Sequence, residues 1–167
     1  ESALLVTLNP NTSYTPIVEG VGGTTGVALV EVYDVDQANT GSHLINISTR
    51  ARVGTGDNVM IGGFVLGGTG QRKVLIKANG PSMTGVAGTL SDPTVRLTTV
   101  SGQVIASNDN WQTNANMSEI VNTGMAPTNT KESALLLMLD ANTPYTPIVE
   151  GVGGTSGVAL VEVYEIQ

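Results

Sequence analysis

The segment ESALLVTLNPNTSYTPIVEGVGGTTGVALVEVYDVD, residues 1–36, returns as ESALLLMLDANTPYTPIVEGVGGTSGVALVEVYEIQ, residues 132–167. Of the 36 aligned pairs, 27 are identical and nine differ, so the chain holds one period of 131 residues plus an overhang that copies its own end. This duplication constrains the fold more than any other feature, because whatever surface buries one copy must also suit the other. Thr7, Asn9, Pro10 and Ser13 become Met138, Asp140, Ala141 and Pro144, mostly in a turn where Asn, Asp and Pro supply the geometry. Leu4, Leu8, Ile17, Val27, Leu29, Val30 and Val32 all recur, as buried strand positions would.

The repeat sets the expected organisation. Residues 37–167 read as one complete domain and residues 1–36 as the closing strands of a preceding one. The joint between them, Asp34 to Ser42, has room for a turn and not for a long tether. At 167 residues the chain has the size of one domain with one sizeable core. It is expected to be an excised or mature piece, with the cut falling inside a repeat.

Almost every apolar stretch has strand character, with 4 to 10 residues rich in Val, Ile, Leu and Thr between Gly, Asn, Asp, Pro or Ser. HLINISTRARV alternates, placing Ile45, Ile47, Thr49, Ala51 and Val53 on one face and Asn46, Ser48, Arg50 and Arg52 on the other. With NVMIGGFVL and RKVLIKA it is expected to form a meander. PTVRLTTVSGQVIAS reads as a hairpin turning at Ser101-Gly102, and NMSEIV, residues 116–121, as one helical turn in a long loop. SALLLML, YTPIVEG and GVALVEVYEI supply three more strands. About eight strands per repeat and no long helix point to an all-β fold, an antiparallel β-sandwich of jelly-roll type.

The overhang cannot stand alone in water, because three strands with apolar faces and open edges need covering. Its apolar positions Leu4, Val6, Leu8, Ile17, Val27, Leu29, Val30 and Val32 are therefore the expected interface with a neighbouring unit, giving head-to-tail association with other copies.

Charge and motif chemistry narrow the function classes. The chain has 14 acidic against 7 basic residues, and no basic stripe of the kind that phosphate backbones require, which argues against nucleic acid as a partner. No apolar run reaches the roughly 18 residues of a membrane helix. There is no cysteine, hence no disulfide framework and no thiolate metal site. The Thr, Asn and Gly enrichment suits an extracellular protein. The single histidine, His43, has no nucleophile or second ligand to work with, so no enzyme mechanism can be assembled. The glycine clusters lack the lysine and following helix of a phosphate loop and read as turns and close strand contacts.

Two candidate ligand features remain. Asp92, Asn108 and Asp109 offer hard oxygen ligands suited to calcium, although such residues also cluster at turns for backbone reasons. Trp111, beside them, suits either a sugar-stacking platform or, more simply, a cap over an open end of the sandwich.

The run INISTRARVGTGDNVMIGGFVLGGTGQRKVLIKANGPS, continued by DPTVRLTTVSGQVIASNDNW and YTPIVEGVGGTSGVALVEVYE, resembles a repeat module of large secreted bacterial proteins of unassigned function. The likeness covers residues 43–165. More distantly, the order of a DP strand, an SG turn, IASND and a YT strand is similar to the bacterial pre-peptidase C-terminal domain, a secreted jelly-roll. That likeness implies secretion and, through Asp92, Asn108 and Asp109 alone, calcium; the fuller acidic set of calcium-binding members is missing here. The resulting expectation is a structural repeat unit of an extracellular bacterial fibre or stalk needing no cofactor. The alternative is a secreted carbohydrate- or matrix-binding module, assisted by calcium.

Overall fold

The computed structural model describes residues 1–35 and 44–166 and divides into two compact units, residues 1–44 and 45–167. His43 and most of the joint 34–42 lie outside the described residues.

The second unit is an antiparallel β-sandwich of nine strands: β1 (Asn46–Val53), β2 (Met60–Ile61), β3 (Phe64–Val65), β4 (Gln71–Asn79), β5 (Pro93–Thr99), β6 (Val104–Asn108), β7 (Ser133–Asp140), β8 (Pro144–Gly151) and β9 (Gly157–Ile166). One sheet runs β1-β9-β4-β7, and the other runs β2-β8-β5-β6 with β3 also on β8. The all-β sandwich expected from the strand-only pattern is thus present, with nine strands where about eight were anticipated.

The inner faces follow the period of two. Val74, Ile76 and Ala78 of β4 meet Leu135 and Leu139 of β7 and Ala159, Val161 and Val163 of β9, facing Val95, Leu97, Tyr145 and Val149 of the opposite sheet. The alternate residues Leu75, Ala134 and Leu136 point outward, yet they too are buried, under Trp111 and Ile120 from the loop after β6. That second layer explains why KVLIKA and SALLLML read as nearly continuous apolar runs, since their strands are covered on both faces. The loop carries the expected helical turn, α1 (Met117–Asn122), whose buried residue is Ile120.

β5 and β6 form the expected hairpin, with Gly102 at φ 83° in its turn. The expected meander is not formed. β1 pairs with β9, β2 and β3 with β8, and β4 with β7 and β9, so the three neighbouring segments never pair with one another. Strands joined by short turns do not pair locally here, because their partners come from the C-terminal segment. The alternation of β1 is likewise realised only at its end, where Ala51 and Val53 reach the core while Ile45 and Ile47 stay exposed.

NVMIGGFVL is two short strands because of its partner. Gly62 N–H donates to the Pro147 carbonyl at 2.9 Å. A strand residue presents its N–H and C=O to the same side, so the N–H that proline lacks is missing on this edge, and the ladder breaks at Gly62-Gly63. Pro147 is fully buried in the middle of β8.

In the first unit, residues 1–35 form no strand and carry one 3-10 turn at Val21–Gly23. The expected strands of the overhang are therefore not paired into any sheet. Leu4 is 91% exposed where its counterpart Leu135 is 3% exposed.

Candidate functional site

Residues 132–166 supply β7, β8 and β9, and six of the seven strand ladders contain one of these three strands. Without them only the β5–β6 hairpin of residues 45–131 keeps a partner. β9 lies between β1 and β4, and β8 between β5 and the β2/β3 edge, so the segment is wedged into the middle of both sheets. The remainder of the module is a slot shaped for this segment.

Three contacts fix the segment in the slot. The first is Glu132, fully buried, whose Oε1 accepts from the backbone N–H of Gly80 (3.0 Å) and of Ser82 (2.9 Å) and from the Ser82 hydroxyl (2.6 Å). Oε2 accepts from the Asn129 N–H at 3.4 Å. A buried carboxylate is tolerated because Oε1 is met by donors from the loop that follows β4 and Oε2 by the Asn129 N–H.

The second is a half-buried network at the centre of the β4–β9 pair. Lys77 Nζ lies 2.9 Å from Glu162, with the two side chains 12% and 14% exposed. Asn79 Nδ2 and the Tyr164 hydroxyl donate to the same carboxylate at 2.6 and 2.5 Å, and Lys77 sits 5.3 Å from the Tyr164 ring centre. Burial pushes the Glu162 pKa up, but the bonds from Tyr164, Lys77 and Asn79 and the Lys77 charge outweigh it and hold the carboxyl below its ordinary value of 4.5. Burial, then the Glu162 bond and charge, raise the Tyr164 phenol.

Because the folded-state pKa of Glu162 is depressed, its stabilisation is present above the ordinary carboxylate value and is lost as pH falls through the lower folded one. Chemical denaturation of the chain should therefore lose stability below about pH 4.5. Lys77→Met should flatten that loss; an unchanged profile would contradict the network.

The third contact is Gly157, at the start of β9. A Cβ there would sit 2.6 Å from the Leu90 Cα and N, where residues 88–90 pair with Val158 through Leu90 N–H to Val158 O and Val158 N–H to Gly88 O, both 2.8 Å. No other residue fits so close to a backbone.

The first copy carries the same determinants. In residues 132–166 the buried positions are Glu132, Ser133, Ala134, Leu135, Leu136, Leu139, Tyr145, Pro147, Val149, Gly157, Ala159, Val161 and Val163, and each is the same residue type in residues 1–35. The eight differences among residues 132–166 all fall at exposed or half-buried positions. The local shape recurs as well. Asn11 and Asn142 have φ 56° and 58°; Tyr14 accepts from Asn9 N–H, and Tyr145 from Asp140 N–H, both at 3.0 Å. Thr24 donates to Val21 O as Thr155 does to Val152 O, and Tyr33 bonds Glu31 as Tyr164 bonds Glu162.

The structure places the other predicted residues as follows. Leu4, Val6, Leu8, Ile17, Val27, Leu29, Val30 and Val32 are all exposed within their unit. Asp92 is paired with Lys131 at 3.2 Å. Asn108 accepts from Ala134 N–H and donates to Asn110 O and Thr113 Oγ1, so its amide serves the β6–β7 junction. The Ser133 hydroxyl donates to the Asp109 and Pro93 carbonyls. Asp109 lines an open depression of about 480 Å³ with Thr55, Thr94 and Glu150, a site that does not include Asp92. Among the described residues no group of three or more His, Asp or Glu converges as a metal site would require. With the Asn108 amide engaged and Asp92 Oδ2 paired with Lys131, leaving only the Asp92 Oδ1 of these two side chains without a partner, the melting temperature is expected to be the same in calcium and in chelator; a rise with calcium would show that these bonds yield to the ion.

Trp111 is buried, with its indole N–H donating to Asn129 O at 3.1 Å. Its ring packs on Leu75, Ile120, Ala134 and Leu136, so it covers the outer face of a sheet and offers no stacking surface for a sugar. Sequence reasoning missed Glu132, Lys77, Asn79, Ser82 and Glu162. For Glu132 and Glu162 the signal was their identity with Glu1 and Glu31 in the duplicated segment, while Lys77, Asn79 and Ser82 lie outside it. No protein-family model matches the sequence, and no curated protein matches it.

Proposed function

We propose that this chain is a structural repeat unit of an extracellular bacterial fibre or surface stalk, in which successive modules are joined head to tail by the duplicated three-strand segment. The observation that carries the reading is the identity of all thirteen buried positions between the two copies. Residues 45–131 form one slot, and the two segments 1–35 and 132–166 carry the same buried-position residues for it. The first segment keeps Leu4, Leu5, Val30 and Val32 exposed, side chains whose counterparts Leu135, Leu136, Val161 and Val163 are buried in the sandwich. A core of the 45–131 type is the surface that matches them, whether it belongs to the same polypeptide or to another molecule. Secretion accords with the Thr- and Gly-rich, cysteine-free composition and with the resemblance to secreted bacterial repeat modules.

Sedimentation velocity tests the joining directly. The mass distribution should grow with concentration without stopping at a closed size. A strict monomer at high concentration, with residues 1–35 protected from hydrogen exchange, would count decisively against it.

A second reading rests on the depression lined by Asp109, Glu150, Thr55 and Thr94, whose carboxylates and hydroxyls suit a polyol. On that reading the module binds carbohydrate or matrix polymer, and a glycan array without hits removes it.

A further inference from the structure

We infer that residues 1–35 are a second ligand for the slot of their own chain, entering it from the N-terminal side in place of residues 132–166 and closing the same module in circularly permuted order. The inference goes beyond the head-to-tail reading, because it concerns which copy closes which core.

The register makes the connection short. β9 is antiparallel to β1, with Tyr164 opposite Asn46, so the end of β9 and the start of β1 are neighbours. Tyr33 is the counterpart of Tyr164, and only residues 34–45 separate it from Asn46. Twelve residues span up to about 40 Å when extended, far more than the roughly 5 Å between adjacent strands. The first copy in the slot would thus join β1 as a hairpin, and folded domains whose ends lie close together accept such permutation.

The fit is supplied residue by residue. Glu1 would meet the Gly80 and Ser82 donors that now hold Glu132, and Glu31 with Tyr33 would meet Lys77 and Asn79. Gly26 would pass Leu90 as Gly157 does, where any Cβ collides. The turn at Asn11 and the Tyr14 bond are already in the slot-bound shape. Two half-buried differences favour the copy that occupies the slot: Leu137 and Ile166 are each one methylene larger than Val6 and Val35. The second copy therefore holds the slot in the intact chain, and the first waits as a replacement.

The test blocks the second copy in the full chain with Gly157→Ala and Val161→Asp together, and follows hydrogen exchange and mass at low concentration. The expected result is a folded monomer in which amide protection leaves residues 158–164 and appears at residues 27–33. Adding Gly26→Ala and Val30→Asp should then abolish the cooperative fold. Three results would overturn the inference: unfolding of the first variant to the level of the fourfold variant, protection that stays on residues 158–164, or a fold recovered only in oligomers. The last would assign the segment to a second molecule and leave head-to-tail joining intact, so the two proposals fail separately.

Discussion

Replacing Glu1 and Glu132 together by alanine is expected to lower the stability of the module by about 4 kcal/mol. Both copies must be changed so that neither can restore the carboxylate. The loss arises because Glu132 is fully buried and alone receives the Gly80 N–H, the Ser82 N–H and the Ser82 hydroxyl. Alanine leaves those donors inside the protein without an acceptor, and water has no open route to a site with no exposed surface. Urea denaturation of the double variant measures it. A midpoint barely displaced from that of the parent chain would mean that the loop after β4 rearranges and that Glu132 does not anchor the segment. Ser82→Ala, which removes one donor and not the acceptor, should cost only about 1 kcal/mol.

Trp111→Ala is expected to cost roughly 3–5 kcal/mol, the range for emptying a large aromatic site. The ring fills the layer outside the β4–β7 pair and its N–H ties residue 111 to Asn129, closing the loop between β6 and β7. Because the inner core does not include Trp111, the sandwich should persist while proteases gain access between residues 112 and 131. Limited proteolysis alongside denaturation separates the two effects. Resistance equal to the parent chain would show that α1 and its loop are held by other contacts.

The layer architecture was legible because strand periodicity is a local property: KVLIKA, PTVRLTT and GVALVEVY announce themselves through β-branched and apolar content. The hairpin at Ser101-Gly102 and the turn of helix at 117–122 were legible for the same reason. Pairing was not. β1, β2, β3 and β4 take their partners from residues 133–166, and no local pattern encodes a partner 55 to 118 residues away. The break in NVMIGGFVL was visible as a glycine pair, but its cause, Pro147 on the adjoining strand, is a tertiary fact.

The candidate site divided in a similar way. Repetition identified the segment but not its inward face: the counterparts of Leu4, Leu8, Val30 and Val32 are buried, whereas those of Val6, Ile17, Val27 and Leu29 are half-buried. Glu132 stayed hidden because a glutamate beside a strand reads as solvent-facing on residue type alone, and only the Gly80–Ser82 loop folded over it shows otherwise. Asn108 failed in the opposite sense. Its residue type suggested a ligand, whereas its amide is spent on Ala134, Asn110 and Thr113.

The central claim, that the duplicated segment joins modules into an extended array, is tested most directly by electron microscopy of the negatively stained protein at neutral pH. The account predicts filaments with an axial repeat of one module, roughly 35 to 50 Å for a sandwich of strands this long. Dispersed single particles at every concentration would contradict it.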